Sequence, residues 1–169
     1  MKPAHNNMAR RFAALLMVLL LLCAAAVAQG DPSDAVQLRL EMYLVTVEDG
    51  QETFTASITA RPGQVVEYRI LATNTSNEEL QPGSVVVTVP VPGGARFLAN
   101  SAAPVSQEVL VEYTAEGAGY MEPPVIIEIE ADGSRRTASQ DEYRGVRWTL
   151  LNPMAPNAEV VLSFRVTVE

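Results

Sequence analysis

The chain has 169 residues, with 12 Lys+Arg against 20 Asp+Glu, one histidine and one cysteine. Lys2, His5 and Cys23 all fall within residues 1–28, so residues 29–169 carry nine arginines against the 20 acids, a net charge of −11, and no Lys, His or Cys. That composition excludes Ser–His and Cys–His dyads, Schiff-base lysines and any zinc site not built from carboxylates alone, and its charge repels nucleic acid and anionic lipid.

The N-terminus has a basic stretch with Lys2, Arg10 and Arg11, an unbroken apolar run over residues 12–22, and a small-x-small exit at Ala26-Val27-Ala28. This is the pattern of a secretory signal peptide, residues 1–28, cleaved after Ala28. If uncleaved, the 17 residues 12–28 would be an anchor at the lower limit of a membrane span. Cys23 follows Leu22, whereas a lipobox needs a small residue there. The expected address is therefore outside the cytoplasm: periplasm, cell surface or medium, with no membrane contact after cleavage. Residues 29–35 read as a short exposed leader and residues 36–169 as a single domain.

Val36, Leu38, Leu40, Met42 and Leu44 alternate with polar residues or Tyr43, the period of a half-buried strand. Glu48-Asp49-Gly50-Gln51 is a hairpin turn, with Phe54, Ala56 and Ile58 on the returning strand. Arg61-Pro62-Gly63-Gln64 suits a type II turn with positive φ at Gly63. A third strand follows at Val66, Tyr68, Ile70 and Ala72, and residues 74–84 read as a loop. A fourth strand at Val85, Val87 and Val89 stops at Pro90 and Pro92; Arg96-Phe97-Leu98 is a short fragment.

Val109, Val111 and Tyr113 form the next strand. Pro123 and Pro124 mark the strand at residues 125–130 as a sheet edge, and residues 132–143 read as a polar connection. Val146, Trp148 and Leu150 precede a turn at residues 152–157. Val160, Leu162, Phe164, Val166 and Val168 give the clearest strand of all. About eight strands without a helical period indicate an all-β fold, an antiparallel immunoglobulin-like β-sandwich with Greek-key connections. A closed barrel is the alternative. The expected core is Leu38, Leu40, Phe54, Ile58, Tyr68, Ile70, Val87, Trp148, Leu162 and Phe164.

Candidate chemistry is sparse. Glu128 and Glu130 share one strand face and could be a glycosidase pair, but read better as a charged outer face. Asp132-Gly133-Ser134 has the wrong order for an aspartic protease and reads as a hairpin turn. Pro92-Gly93-Gly94-Ala95 lacks the Lys and helix of a phosphate loop. Trp148 could stack on a sugar, but sits among core positions. No Asp-x-Asp-x-Asp-Gly calcium spacing occurs. Catalytic, cofactor-binding and metal residues are therefore expected to be none, with no cofactor.

The run Arg61-Pro62-Gly63-Gln64-Val65-Val66-Glu67-Tyr68-Arg69-Ile70, the valine-rich strand at residues 85–91 and Val146-Arg147-Trp148-Thr149-Leu150 resemble the DUF11 conserved repeat domain of bacterial secreted and cell-surface proteins. The similarity covers about residues 61–169. It implies an immunoglobulin-like sandwich on an envelope protein and carries no catalytic residues to transfer. This chain has one copy rather than an array, and lacks the usual Asp in the strand at Val85. The expected function is a non-catalytic secreted or cell-envelope module with a structural or protein-binding role, its partner another envelope protein met at the edge formed by residues 123–130. A carbohydrate-binding domain is the alternative, and a carboxylate-based hydrolase follows it.

Overall fold

The computed structural model describes residues 35–116, 119–128 and 133–169. The expected signal peptide, its cleavage point and residues 29–34 lie outside the described residues, as do Glu130 and Asp132. The strands all belong to one unit, Pro32–Glu169. They are β1 (Val36–Glu48), β2 (Gln51–Ala56), β3 (Val65–Asn74), β4 (Val86–Pro90), β5 (Ala95–Phe97), β6 (Val109–Ala115), β7 (Ile126–Glu128), β8 (Arg135–Thr137), β9 (Tyr143–Leu150) and β10 (Glu159–Val168).

They form an antiparallel β-sandwich. One sheet has the order β2-β1-β3-β10-β5, the other β4-β9-β6, and β7 and β8 make a separate two-stranded sheet. Among the described residues there are ten strands rather than about eight. The polar connection expected at residues 132–143 holds β8 and a 3-10 turn at Gln140–Glu142. Arg135-Arg136-Thr137 offers no apolar alternation, so its pairing with β7 left no mark in the hydropathy.

Turn chemistry sets the hairpins. Asp49 and Gly50 both have positive φ, 51° and 78°, the signature of a two-residue type I′ turn. Gly63 has φ 82°, and the Gln64 N–H donates to the Arg61 carbonyl at 3.1 Å, closing the type II turn. Pro90 ends β4 at a sheet edge, the place where a missing N–H costs no ladder bond.

The core lies between the sheets. Ile70, Leu162, Phe164 and Phe97 from the large sheet meet Val87, Trp148 and Tyr113 from the small one, all buried. Aromatic rings run through it: Tyr68 stacks on Phe164 at 5.3 Å, Phe164 lies 6.4 Å from Phe97, and Phe97 touches Tyr113 and Tyr143 at 5.5 and 5.6 Å. Trp148 stands 6.2 Å from Phe164 across the sheets. Rings at these separations add to the area they bury. Asn74, wholly buried at the end of β3, is fully satisfied. Its amide donates to the Glu78 and Met154 carbonyls at 2.9 Å each, and its Oδ1 accepts from the Ser76 N–H and hydroxyl.

Four residues expected in the core are outside it. Leu38 is 52 % exposed, Leu40 59 %, Phe54 39 % and Ile58 95 %. Leu38 and Leu40 point to the inner face, opposite Ala72 and Ile70 of β3. The large sheet, however, has five strands and the small one three, so the cover thins at β1: Val36, Met42 and Leu44 still pack against the core, but Leu38 and Leu40 between them do not. Phe54 pairs with Val45 rather than Leu44. That register puts its ring on the outer face. Ile58 lies beyond the end of β2.

Candidate functional site

Half of β1 has an unpaired edge. β3 pairs along β1 from Val36 to Val45, but β2 pairs on the other side only from Tyr43 to Glu48. The Ser57 N–H donates to the Met42 carbonyl at 3.0 Å and closes the β2 side there. Among the described residues, no strand pairs with residues 36–41 on that side. The direction of each backbone group follows from two bonds. The Ala35 carbonyl accepts from Thr75 on the β3 side, whereas the Met42 carbonyl accepts from Ser57 on the other. Backbone direction alternates along an antiparallel strand. Val36, Leu38 and Leu40 therefore present N–H and C=O to the open edge, while Gln37, Arg39 and Glu41 bond to β3. Leu38 and Leu40 make this edge apolar on its inner face, and exposed Ile58 lines the same surface depression as Leu40 and Met42.

The outer face of the same sheet carries an ion-pair ladder. Arg165 donates through Nη1 and Nη2 to both oxygens of Glu52, at 2.7 and 2.8 Å, and through Nε to Glu67 at 2.8 Å. Arg69 Nε donates to the other Glu67 oxygen at 2.6 Å. The Arg69 guanidinium lies 4.4 Å over the Tyr43 ring and 4.8 Å over Phe54. The hydrogen bonds from Arg165 hold the Glu52 carboxyl below its usual range, and the same pairing, with Glu67, raises Arg165 above its own. Both carboxylates are consumed by arginines, and both rings are covered by a guanidinium. The face is a brace across β2, β3 and β10, with neither a poised acid nor a bare sugar platform.

A shallow cavity of about 320 Å³ opens at one end, between the turn Pro92-Gly93-Gly94-Ala95 and the 3-10 turn. Its charges are mutually engaged. Arg96 pairs with Glu169 and lies 3.5 Å from Asp141; Glu142 takes a bidentate pair from Arg136 at 2.6 and 2.8 Å; Arg144 donates to the Asp141 carbonyl at 3.4 Å. The Arg136 pair, with the Ser139 N–H, holds Glu142 at about 2. The Gly93-Gly94 turn closes on itself, Ala95 N–H donating to the Pro92 carbonyl at 3.2 Å.

The residues singled out in sequence are scattered. Glu128 lies exposed on β7 opposite Arg135 of β8, and Glu130, expected beside it, lies outside the described residues. Trp148 is wholly buried, so its ring offers no face to a sugar; its Nε1 has no hydrogen-bond partner among the described residues. The strand expected at a sheet edge over 125–130 contains β7, which pairs on one side with β8, Ile126 opposite Thr137 and Glu128 opposite Arg135, and has no strand on its other side among the described residues. Among the described residues, no three Asp, Glu, His or Cys side chains are grouped to hold a metal ion.

The open edge of β1 was missed because its leucines look like core. The signal was in the strand lengths: 13 residues in β1 against six in β2. A tight hairpin that joins unequal strands leaves half of the longer one bare. Comparison with known proteins finds no matching family model, no matching curated protein and no matching solved structure.

Proposed function

We propose that this protein is a non-catalytic, secreted or cell-envelope β-sandwich module that works by docking polypeptide along the free edge of β1. Support for export comes from residues 1–28, with their basic start, apolar run and Ala26-Val27-Ala28 exit, and from the DUF11-like stretch at residues 62–74. The observation that carries docking is the bare edge at Val36, Leu38 and Leu40 beside exposed leucines. A strand laid there gains main-chain hydrogen bonds and covers apolar surface in one step.

The test is a photoreactive side chain at Gln37 in intact cells, with one at outward-facing Val161 as control. Gln37 should yield a polypeptide adduct and Val161 none. Folded protein that gives no adduct from Gln37 overturns the docking reading. N-terminal sequencing of the same material checks export: the chain should begin at or near Gln29, and retention of residues 1–28 would point to the anchor instead.

A further inference from the structure

We propose that the occupant of this edge is a second copy of the chain, its β1 laid antiparallel across a two-fold axis at Leu38; the inference rests on the docking reading above. The free stretch is bounded at both ends. Pairing with β3 begins at Val36, and Ser57 occupies the place opposite Met42. Between these limits the edge-facing residues are Val36, Leu38 and Leu40, symmetric about Leu38.

A copy related by a two-fold axis through Leu38 sets Leu38 opposite Leu38, Leu40 opposite Val36, and Arg39 opposite Gln37. Every edge N–H then faces a carbonyl. Neighbouring registers fail for identifiable reasons. Sliding by two residues one way puts Arg39 against Arg39 and drives Val36 onto Met42, where Ser57 already sits. Sliding the other way carries Leu40 past the start of the partner's strand. A slip of one residue turns the bonding groups away from each other.

Charge agrees with the centred register. Arg39 is the one charged residue in the stretch 36–40, and it meets a neutral amide rather than its own copy. On the inner face, Val36, Leu38 and Leu40 of both copies join into one apolar strip. The contact is small beside the roughly 1,200–2,000 Å² of stable complexes, so association is weak and concentration-dependent. Each chain is also strongly acidic, so salt, which screens charge beyond about 8 Å at physiological strength, should strengthen the dimer.

Cysteine pairing reads the register directly. In a Cys23→Ser background of the full chain, Leu38→Cys places its thiol on the two-fold axis, where opposed Cα atoms stand about 5.5 Å apart, within disulfide reach. Mild oxidation should give a covalent dimer, several-fold more at about 0.5 M salt than at low salt. Thr88→Cys, on the edge strand β4, is the control. Val36→Cys and Leu40→Cys should cross-link to each other when mixed, and neither to itself. Leu38→Pro removes an N–H that serves no internal ladder, so the chain should stay folded and sediment as monomer. The inference is overturned if Leu38→Cys dimerises no more than Thr88→Cys, if Val36→Cys pairs with itself as readily as with Leu40→Cys, or if folded Leu38→Pro still dimerises. If Leu38→Pro does not fold, the cysteine variants decide. An adduct from Gln37 to a different polypeptide, without a Leu38→Cys dimer, removes the second copy and keeps the docking reading; no adduct and no dimer removes both.

Discussion

Leu40 of β1 and Ile70 of β3 stand opposite one another on the same face of one sheet, yet Ile70 is 2 % exposed and Leu40 59 %. One strand's width separates core from surface. The core covers β3 and β10 along their length but reaches β1 only at Val36, Met42 and Leu44, so identical patterning in two adjacent strands has opposite consequences at Leu38 and Leu40.

Replacing each by alanine should show the difference. Ile70→Ala should cost about 2–5 kcal/mol through lost transfer energy and a cavity. Leu40→Ala should stay within about 0.5 kcal/mol, as surface changes do. Denaturant unfolding at low protein concentration measures both; equal losses would place Leu40 in a packed environment.

Phe164 touches Tyr68, Phe97 and Trp148 and is wholly buried. Phe164→Ala should cost about 3–5 kcal/mol and disturb the near-ultraviolet dichroism of Trp148 in the native state. A loss under about 1 kcal/mol would mean that the ring is not part of the core.

The pattern of Leu162, Phe164 and Val166 was enough to place β10, because every second residue of that strand is covered. For Leu38 and Leu40 the same alternation identified the right face but not whether a second layer lay over it. Phe54 was misplaced by a different route. The two-residue turn pairs Glu48 with Gln51, which makes Thr55, not Phe54, the partner of Leu44. The turns themselves were legible because positive φ at Gly50 and Gly63 restricts the residue type. The brace between Arg165 and Glu52 was not, since its partners lie 113 residues apart and nothing local links them.

Two glycines should fail differently. At Gly63 an added Cβ meets nothing within 4 Å, but φ is 82°, so Gly63→Val should cost about 1–2 kcal/mol from backbone strain alone. At Gly145 the added Cβ would stand 2.5 Å from Tyr120 Oη. Gly145→Ala should push the Tyr120 ring from its place 4.7 Å from the Arg147 guanidinium. Thermal melts give the first cost, and ring chemical shifts of Tyr120 report the second; an unmoved Tyr120 signal in Gly145→Ala would contradict the packing.

Glu142 supplies a pH dependence with a definite sign. Its folded value of about 2 lies below the roughly 4.3 of an unfolded glutamate. The stabilisation it brings is therefore complete above that unfolded value and is lost as pH falls through about 2. The stability gap between wild type and Glu142→Gln should be constant above about pH 5. It should narrow as acid is added and close near the folded value. A gap that widened on acidification would contradict the Arg136 pairing.

The direct test of the β1 edge is residue-resolved amide hydrogen exchange across protein concentration. In dilute protein the Leu38 and Leu40 amides should exchange freely, while those of Arg39 and Glu41, bonded to β3, stay protected. Raising the concentration should slow Leu38 and Leu40 and leave Arg39 and Glu41 unchanged. Equal protection of all four amides in dilute protein, or exchange at Leu38 and Leu40 that ignores concentration, would contradict an open edge filled by a second copy.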